Sequence, residues 1–239
     1  MAKERLDKLI ASTGRWSRRE VKTLVREGRV LVDGRIAGSA EEKYDAESCR
    51  IAVNGEELLL RRHTYVMLHK PAGVLSATED GRGRTVLDLL TPELRKIGVF
   101  PVGRLDKDTE GLLLLTDDGE LAHALLSPKK HVDKVYYARV SGRLAPEDCA
   151  AFEAGMTLGD GLECLPAGLE VLPDRVCIVT LREGKFHQVK RMLAARGAPV
   201  LYLKRLSMGP LTLDDSLAAG AYRLLRAEEI SALYRACGL

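Results

Sequence analysis

The sequence predicts an α+β protein with a small N-terminal domain and a larger second domain, and three observations carry that prediction. Helical and strand patterns mix irregularly along the 239 residues, unlike the regular alternation that builds a parallel sheet. Positive charge is concentrated near the N-terminus, and the stretch at 36–61 is locally acidic. We therefore predict domains at 1–61 and 62–239.

Composition narrows the class of protein. With 46% hydrophobic and 30% charged residues, the chain has enough apolar side chains for a full core, and no apolar run approaches the roughly 20 residues that a membrane span requires. The N-terminus is too polar for a secretory signal. Because the five cysteines are widely spaced and form no CxxC pair, we expect no disulfide framework, no metal site and a cytoplasmic location.

Two short helices and two β-hairpins are predicted in the first domain. Apolar residues at helical spacing around Leu9 mark the first helix, and Ser17 is placed to cap the second. The alternating run at 29–32 then leads into Asp33-Gly34, a pair that favours a tight hairpin turn. Asn54-Gly55 gives the same signal after an apolar run at 51–53. The inner face of the second helix is formed by Val21, Leu24 and Val25.

The first domain is strongly basic. Residues 1–35 hold ten Lys or Arg against five Asp or Glu, a charge of +5, whereas the other 204 residues sum to −2 within the net charge of +3. Such a face suits the phosphate backbone of a nucleic acid, and a solvated helix face is the alternative. The candidate RNA-binding residues are Arg5, Lys8, Arg18, Arg19, Lys22, Arg26 and Arg29, the last five expected on the outer face of the second helix.

The second domain is predicted to mix strands and helices. A strand at 65–68 ends where Pro71 and Gly73 force a turn. Gly197 is placed to end the last helical pattern before the C-terminal part of the domain. Further strands are predicted at 99–102, 112–115, 135–140 and 176–181, and helices at 85–90, 120–126 and 187–196.

The stretch at 103–119 is the most informative part of the chain. It places the carboxylate of Asp106, the guanidinium of Arg104 and the hydroxyl of Thr109 in a tight polar loop between two apolar segments that are predicted as buried strands. Rigid strands hold a reactive group better than a free loop does. For Gly103 to Asp106 taken alone, a charged hairpin turn is the alternative.

Taken at full length, this stretch resembles the signature of the pseudouridine synthases that modify ribosomal RNA. Segments 68–74, 133–140, 182–193 and 205–213 resemble the same family in the same order. Segments 5–10, 17–21 and 28–34 look like the S4 RNA-binding domain, which one branch of the family carries at its N-terminus. That domain implies RNA binding without implying catalysis. Residues 184–192, with a lysine at 190, are most similar to the synthases that act on small-subunit 16S rRNA.

The resemblance implies a largely antiparallel mixed sheet flanked by helices, and an isomerase that converts one uridine of ribosomal RNA to pseudouridine without metal or organic cofactor. The reaction breaks the N1 to C1′ bond, turns the uracil, joins C5 to C1′ and releases the C5 proton. A monomer acting on ribosomal RNA, free or within an assembling subunit, is expected, with no membrane partner. The same reaction on a large-subunit 23S uridine stays open, as does a non-catalytic assembly factor.

The resemblance also implies roles for individual residues. Asp106 is the nucleophile or the stabiliser of electron-poor C1′, as carboxylates are in glycoside cleavage. It must be ionised, and enclosure disfavours that charge unless a cation such as Lys190 lies beside it. Tyr136 matches the tyrosine that lies against the target base, and Arg104 is placed to bind a phosphate or fill the gap left by a flipped-out base. Lys70 and Arg205 are assigned to substrate binding near this site.

Each of these roles has a plainer alternative. Lys190 could be a solvated helix lysine, Tyr136 a core residue of a strand, and Arg104 an arginine that faces solvent. Tyr137 points to the opposite face of its strand and is interpreted as structural. Which atom Asp106 attacks does not follow from the sequence.

Overall fold

A computed structural model describes residues 3–46, 48–58 and 62–239 of the protein. The chain forms two compact units, of which the first comprises Met1–Thr64, Leu90–Val99 and Thr116–Asp118. The second comprises Tyr65–Leu89, Phe100–Leu115 and Gly119–Leu239. The predicted boundary between 61 and 62 lies beside residues 59–61, which are outside the described residues, and it stays a prediction.

The first unit contains short helices and short antiparallel strands. Its elements are β1 (Glu4–Arg5), α1 (Leu6–Ala11), α2 (Arg18–Arg26), β2 (Val30–Val32), β3 (Arg35–Ile36), β4 (Lys43–Tyr44), β5 (Ile51–Val53), β6 (Glu56–Glu57) and α3 (Pro92–Ile97). Four of the strands form one sheet in the order β3-β2-β5-β6, and β1 pairs with β4.

Local chemistry explains where these elements begin and turn. The hydroxyl of Ser17 accepts a hydrogen bond from the Glu20 amide, and the Glu20 carboxylate accepts one from the Ser17 amide, so a reciprocal capping box starts α2. Asp33 and Asn54 both have positive φ, at 50° and 55°, and each is followed by glycine at the turn of its hairpin. The predicted helices and hairpins of this unit are confirmed.

The second unit is built around one mixed sheet. Its elements are β7 (Tyr65–Lys70), β8 (Phe100–Pro101), β9 (Glu110–Thr116), α4 (Gly119–Leu126), β10 (Lys134–Val140), α5 (Pro146–Ala154), β11 (Met156–Thr157), β12 (Glu163–Cys164), β13 (Gly168–Leu172), β14 (Val176–Leu181), α6 (Gln188–Ala195), β15 (Val200–Met208), β16 (Leu211–Thr212), β17 (Tyr222–Leu224) and α7 (Ala227–Cys237).

The strands of this sheet follow the order β13-β14-β10-β15-β9-β7-β17, with β16 on β15 and β8 on β9. Strand β15 is antiparallel to β10 and parallel to β9, and β10 is antiparallel to β14. The predicted, largely antiparallel mixed sheet with helices is therefore confirmed. Strand β9 is almost wholly buried because it runs between β15 and β7.

Two predicted elements are shorter in the structure. The helix predicted at 85–90 is a 3₁₀ turn over Val86–Leu89. The Asp88 carboxylate accepts a hydrogen bond from the Thr85 amide at its start, and the extended backbone of Thr91 before Pro92 prevents it from continuing. The strand predicted at 99–102 is reduced to Phe100–Pro101, where Pro101 has no N–H to donate, although the Val102 amide still donates to the Leu114 carbonyl at 2.8 Å. Within the described ranges, no helix is both long and apolar enough to cross a membrane.

Candidate active site

Asp106 lies in the loop between β8 and β9, at one side of an open pocket with an empty volume of about 410 Å³. Residues from separate parts of the second unit line this pocket, so side chains far apart in sequence meet there. Arg104 and Asp106 come from the loop, Tyr136 from β10, and His187 and Lys190 from the start of α6.

The backbone beside Asp106 is held by a buried serine. The Ser76 hydroxyl accepts a hydrogen bond from the Leu105 amide at 3.0 Å and donates one to the Leu105 carbonyl at 2.9 Å. Both Ser76 and Leu105 are buried. The Thr109 amide donates to the Asp106 carbonyl at 3.1 Å and closes the turn on the other side. Asp106 therefore stands on a loop that is fixed at both ends.

Lys70 holds the same loop through hydrogen bonds to backbone carbonyls. Its ammonium group donates to the carbonyls of Pro71, Lys107 and Thr109, at 3.0, 3.3 and 2.8 Å, and the side chain is fully buried. Burial lowers the pKa of Lys70 to about 8, although the nearby carboxylates of Asp108, Asp106 and Glu110 oppose that shift.

Arg205 holds the far end of the loop. Its Nε donates to the Leu112 carbonyl at 2.7 Å, and only 2% of the residue is exposed. Gly111, which pairs with Arg205 across β9 and β15, has a φ of +104°, and a Cβ there would collide with the Arg205 backbone. Glycine is required at this close approach.

The sequence assigned Lys70 and Arg205 to substrate binding, which stays a prediction, and the structure shows both residues buried. Their hydrogen bonds go to backbone carbonyls of the loop and of β9. Lys70 therefore holds the backbone beside Asp106, and Arg205 holds β9.

Lys190 lies beside Asp106, as the sequence predicted, and also beside a second carboxylate. Its Nζ is 3.0 Å from Asp106 Oδ2 and 2.5 Å from Asp108 Oδ1. Burial alone would lower the pKa of Lys190, but its hydrogen bonds to Asp108 and Asp106 outweigh burial and raise that pKa above the ordinary value of 10.5. The hydrogen bond from Lys190 also lowers the pKa of Asp108. The lysine is therefore charged throughout the neutral range.

His187 is the second group beside Asp106. Its Nε2 is 3.5 Å from Asp106 Oδ1, and its φ of 51° places it in the left-handed region immediately before α6. Sequence reasoning gave no role to His187, Asp108 or Ser76. Asp108 and His187 lie within segments 103–119 and 182–193, which carry the family resemblance, but nothing in the sequence distinguished them from their neighbours.

Tyr136 is 8% exposed and lines the pocket, and Arg104 is exposed at its edge. Tyr137 points to the other face of β10 and packs edge to face with Tyr202, with ring centroids 6.1 Å apart. The side chain of Arg104 forms no ion pair with any described residue, so its guanidinium is available to a ligand.

The predicted RNA-binding residues of the first unit are largely engaged with carboxylates. Arg5 and Arg18 both bind Asp7, at 2.9 and 3.0 Å, and Asp7 is 1% exposed. Burial would raise the pKa of Asp7, but the hydrogen bonds from the two arginines outweigh it and lower that pKa. Other pairs of this cluster join Lys8 to Glu4, Lys22 to Glu41 and Arg29 to Glu27.

Two arginines of this cluster form no ion pair with a described residue, and the predicted position of a third is wrong. Arg19 and Arg26 hold no carboxylate among the residues that the structure describes. Arg29 follows the end of α2 at Arg26, so it does not lie on the outer face of that helix as predicted. Arg5, Arg18, Arg19 and Lys22 line one open depression together with Asp7.

Comparison with known proteins gives matches along nearly the whole chain. Residues 64–195 match the protein family described as RNA pseudouridylate synthase, and residues 4–48 match the S4 domain. An uncharacterized RNA pseudouridine synthase of Bacillus subtilis is 49% identical over 96% of this chain and 98% of its own length.

Two further relatives agree. The ribosomal small subunit pseudouridine synthase A of Vibrio cholerae is 39% identical over 97% of this chain and 100% of its own length. A crystal structure of a pseudouridylate synthase is 36% identical and superposes with a TM-score of 0.68, covering 96% of this chain and 99% of that one.

Proposed function

This chain belongs to the RNA pseudouridine synthases that carry an N-terminal S4 domain, and on that premise we propose that it isomerises one uridine of small-subunit 16S ribosomal RNA. The Vibrio cholerae relative, which is named for the small ribosomal subunit, supports this choice of substrate. Cytoplasmic location and a monomeric state stay predictions.

One observation carries the catalytic part of the proposal: the Asp106 carboxylate lies in the pocket within 3.0 Å of the Lys190 ammonium. Asp106 acts as the nucleophile or stabilises C1′ while the N1 to C1′ bond breaks. Lys190 balances the negative charge of Asp106 in a partly enclosed site. Ser76 and Lys70 hold the backbone on either side of Asp106 in place. The carboxylate is thus oriented before the substrate binds.

A uridine inside folded RNA does not reach this carboxylate, so the base is flipped out into the pocket. Tyr136 offers its ring to the uracil, since an aromatic face stacks on any base. The exposed Arg104 binds a phosphate beside the extruded nucleotide or occupies the gap that it leaves. The basic cluster of the first unit adds interactions with the phosphate backbone that do not depend on sequence.

The proposal is tested by mapping pseudouridines through carbodiimide-dependent reverse-transcription stops in cells with and without the gene. We expect one stop in 16S rRNA to disappear on deletion and to return with the wild-type gene but not with Asp106→Asn. Loss of a stop in 23S rRNA instead would move the substrate to the large subunit. An unchanged map of both RNAs would favour a non-catalytic assembly factor.

A further inference from the structure

Phe186 stands out on the surface of the second unit. It is 75% exposed, more than any other large hydrophobic side chain among the described residues. A scattered apolar side chain on a surface needs no explanation. Phe186 differs because of the loop that presents it and the residue that it touches.

The loop between β14 and α6 is braced by hydrogen bonds on both sides of Phe186. The Gln188 side chain donates to the Glu183 carboxylate at 2.6 Å and accepts from the Lys185 amide at 3.0 Å. The same Glu183 carboxylate accepts from the Leu165 amide at 2.9 Å. Glu183 and Gln188 are both buried, so the ring of Phe186 is exposed on a fixed support.

One face of the Phe186 ring is covered by His187, which in turn lies beside Asp106. The ring stacks on His187 with centroids 3.8 Å apart and planes at 18°. His187 in turn reaches Asp106, with Nε2 3.5 Å from Oδ1. His187 lines the pocket and Phe186 does not, so Phe186 stands at the pocket rim, one residue outside it.

We propose that the free face of Phe186 binds a nucleobase next to the target uridine, so that the Phe186-His187 pair forms a stacking platform at the rim. This inference rests on the proposed function. When the target is flipped into the pocket, the adjoining nucleotide must cross this rim within one sugar-phosphate unit of Asp106. It has lost its stacking neighbour, and a flat aromatic face replaces that neighbour whatever the base.

The charges around the platform favour RNA over a protein partner as its occupant. Arg104 and Lys190 line the same pocket, and Arg104 is exposed. A phosphate chain entering the pocket supplies a counter-charge to Arg104, which holds no carboxylate among the described residues, whereas an apolar protein surface laid on Phe186 would cover Arg104 without one. A nucleotide supplies both the flat ring and the negative charge.

The experiment compares Phe186→Ala, Phe186→Leu and Phe186→Trp with the wild type. A transcript of the small-subunit rRNA carrying tritium at C5 of its uridines serves as probe, because pseudouridine formation releases the C5 proton. Val171→Ala is the matched control, since Val171 is another exposed apolar side chain and lies on edge strand β13, opposite Cys177. Filter binding gives the dissociation constant, and tritium release at saturating protein gives the single-turnover rate.

We expect Phe186→Ala to raise the dissociation constant about tenfold, and Phe186→Leu nearly as much, because neither offers an aromatic face. Phe186→Trp should bind as the wild type does, and Val171→Ala should change nothing. In Phe186→Ala and Phe186→Leu the rate at saturating protein should fall less than the affinity, because Phe186 lies outside the pocket.

Each contrary outcome has a distinct meaning. If the wild type releases tritium and Phe186→Ala matches Val171→Ala in affinity, the platform is refuted while the proposed function stands. If the wild type releases no tritium from the free transcript or from small-subunit particles assembled on it, but Phe186→Ala still weakens binding, the proposed function fails while the contact of Phe186 with a nucleobase stands. Equal binding by the Leu and Trp variants would show an apolar interaction without stacking. A wild-type dimer that Phe186→Ala abolishes in sedimentation would assign the ring to a second copy, and both results contradict the proposal.

Discussion

The lysine and arginine side chains of the two units differ in solvent exposure and in the groups to which they bind. In the first unit, the side chains of Arg18 and Lys22 are 54% and 49% exposed, and their partners are carboxylates of the same unit. In the second unit, Lys70 is fully buried and donates to three backbone carbonyls around Asp106. Lys190 lies between these extremes, with 22% of its side chain exposed and two carboxylates within reach.

This difference separates two uses of positive charge. An exposed ion pair such as Lys22 with Glu41 contributes little to folding, and its lysine can exchange the carboxylate for a phosphate of RNA. A buried cation that donates to backbone carbonyls leaves those groups without a donor when it is removed. We therefore expect substitutions in the first unit to change RNA affinity, and substitutions around Asp106 to change turnover.

The largest effect is expected for Asp106→Asn. The amide is nearly isosteric but carries no negative charge, so tritium release should be abolished while the dissociation constant for rRNA stays within a few fold. Mass spectrometry of the purified variant excludes deamidation back to Asp. Substantial turnover by a variant free of such reversion would refute the catalytic role of Asp106. It would also refute the expectation that substitutions around Asp106 change turnover.

Lys190→Met comes second. Methionine keeps the stem but removes the charge beside Asp106, and we expect the single-turnover rate to fall about 10²-fold, the scale of losing one charged group that supports a reaction. Asp108→Asn is the matched comparison, because it removes the other partner of Lys190 and leaves the 3.0 Å ion pair with Asp106. It should slow turnover less than tenfold. Equal rates for wild type and Lys190→Met would make Lys190 an ordinary surface lysine.

Lys70→Met is expected to lower turnover about tenfold by loosening the loop, and to change the pH dependence of stability. The pKa of Lys70 is about 8 in the folded protein and 10.5 in its ordinary state, so between these values the unfolded chain binds more protons. Wild-type stability relative to Lys70→Met should therefore rise from pH 8 to pH 10.5, by up to about 3 kcal/mol. Urea titrations at both pH values measure it, and parallel changes in the two proteins would contradict it.

Much of this arrangement could be predicted from the sequence. The loop that carries Asp106 lies between apolar strands as expected, and Tyr136 and Lys190 come to the same pocket from later in the chain. The helix caps and hairpin turns of the first unit were predicted because Ser17, Asp33 and Asn54 act through neighbours in sequence.

What was missed depends on distant neighbours. Strand β15, between β9 and β10, carries two adjacent charged residues, Lys204 and Arg205, which hide its strand pattern. The burial of Lys70 likewise follows from carbonyls 37 and 39 residues away. A charged side chain is expected at the surface, and only the three-dimensional fold shows that Lys70 and Arg205 are enclosed.

The smallest effect is expected for Arg19→Gln with Arg26→Gln, which removes the two exposed arginines of the basic cluster that hold no carboxylate among the described residues. Affinity for rRNA should fall, and the slope of log Kd against log salt should flatten by about 0.7 to 0.9 for each phosphate that the protein no longer neutralises. Arg143→Gln with Arg235→Gln removes the same charge from the second unit and should change neither quantity. Equal salt slopes for the two double variants would mean that the cluster is a solvated face.

The division between affinity and turnover is tested most directly by measuring both quantities on Lys190→Met and on the Arg19/Arg26 double variant. Dissociation constants at a series of salt concentrations are set beside single-turnover tritium release at saturating protein. We expect Lys190→Met to lose the rate while its affinity stays within a few fold, and the double variant to lose affinity and salt slope at the wild-type rate. A double variant that is slow at saturation, or a Lys190→Met protein that is rescued by saturation, would contradict the account.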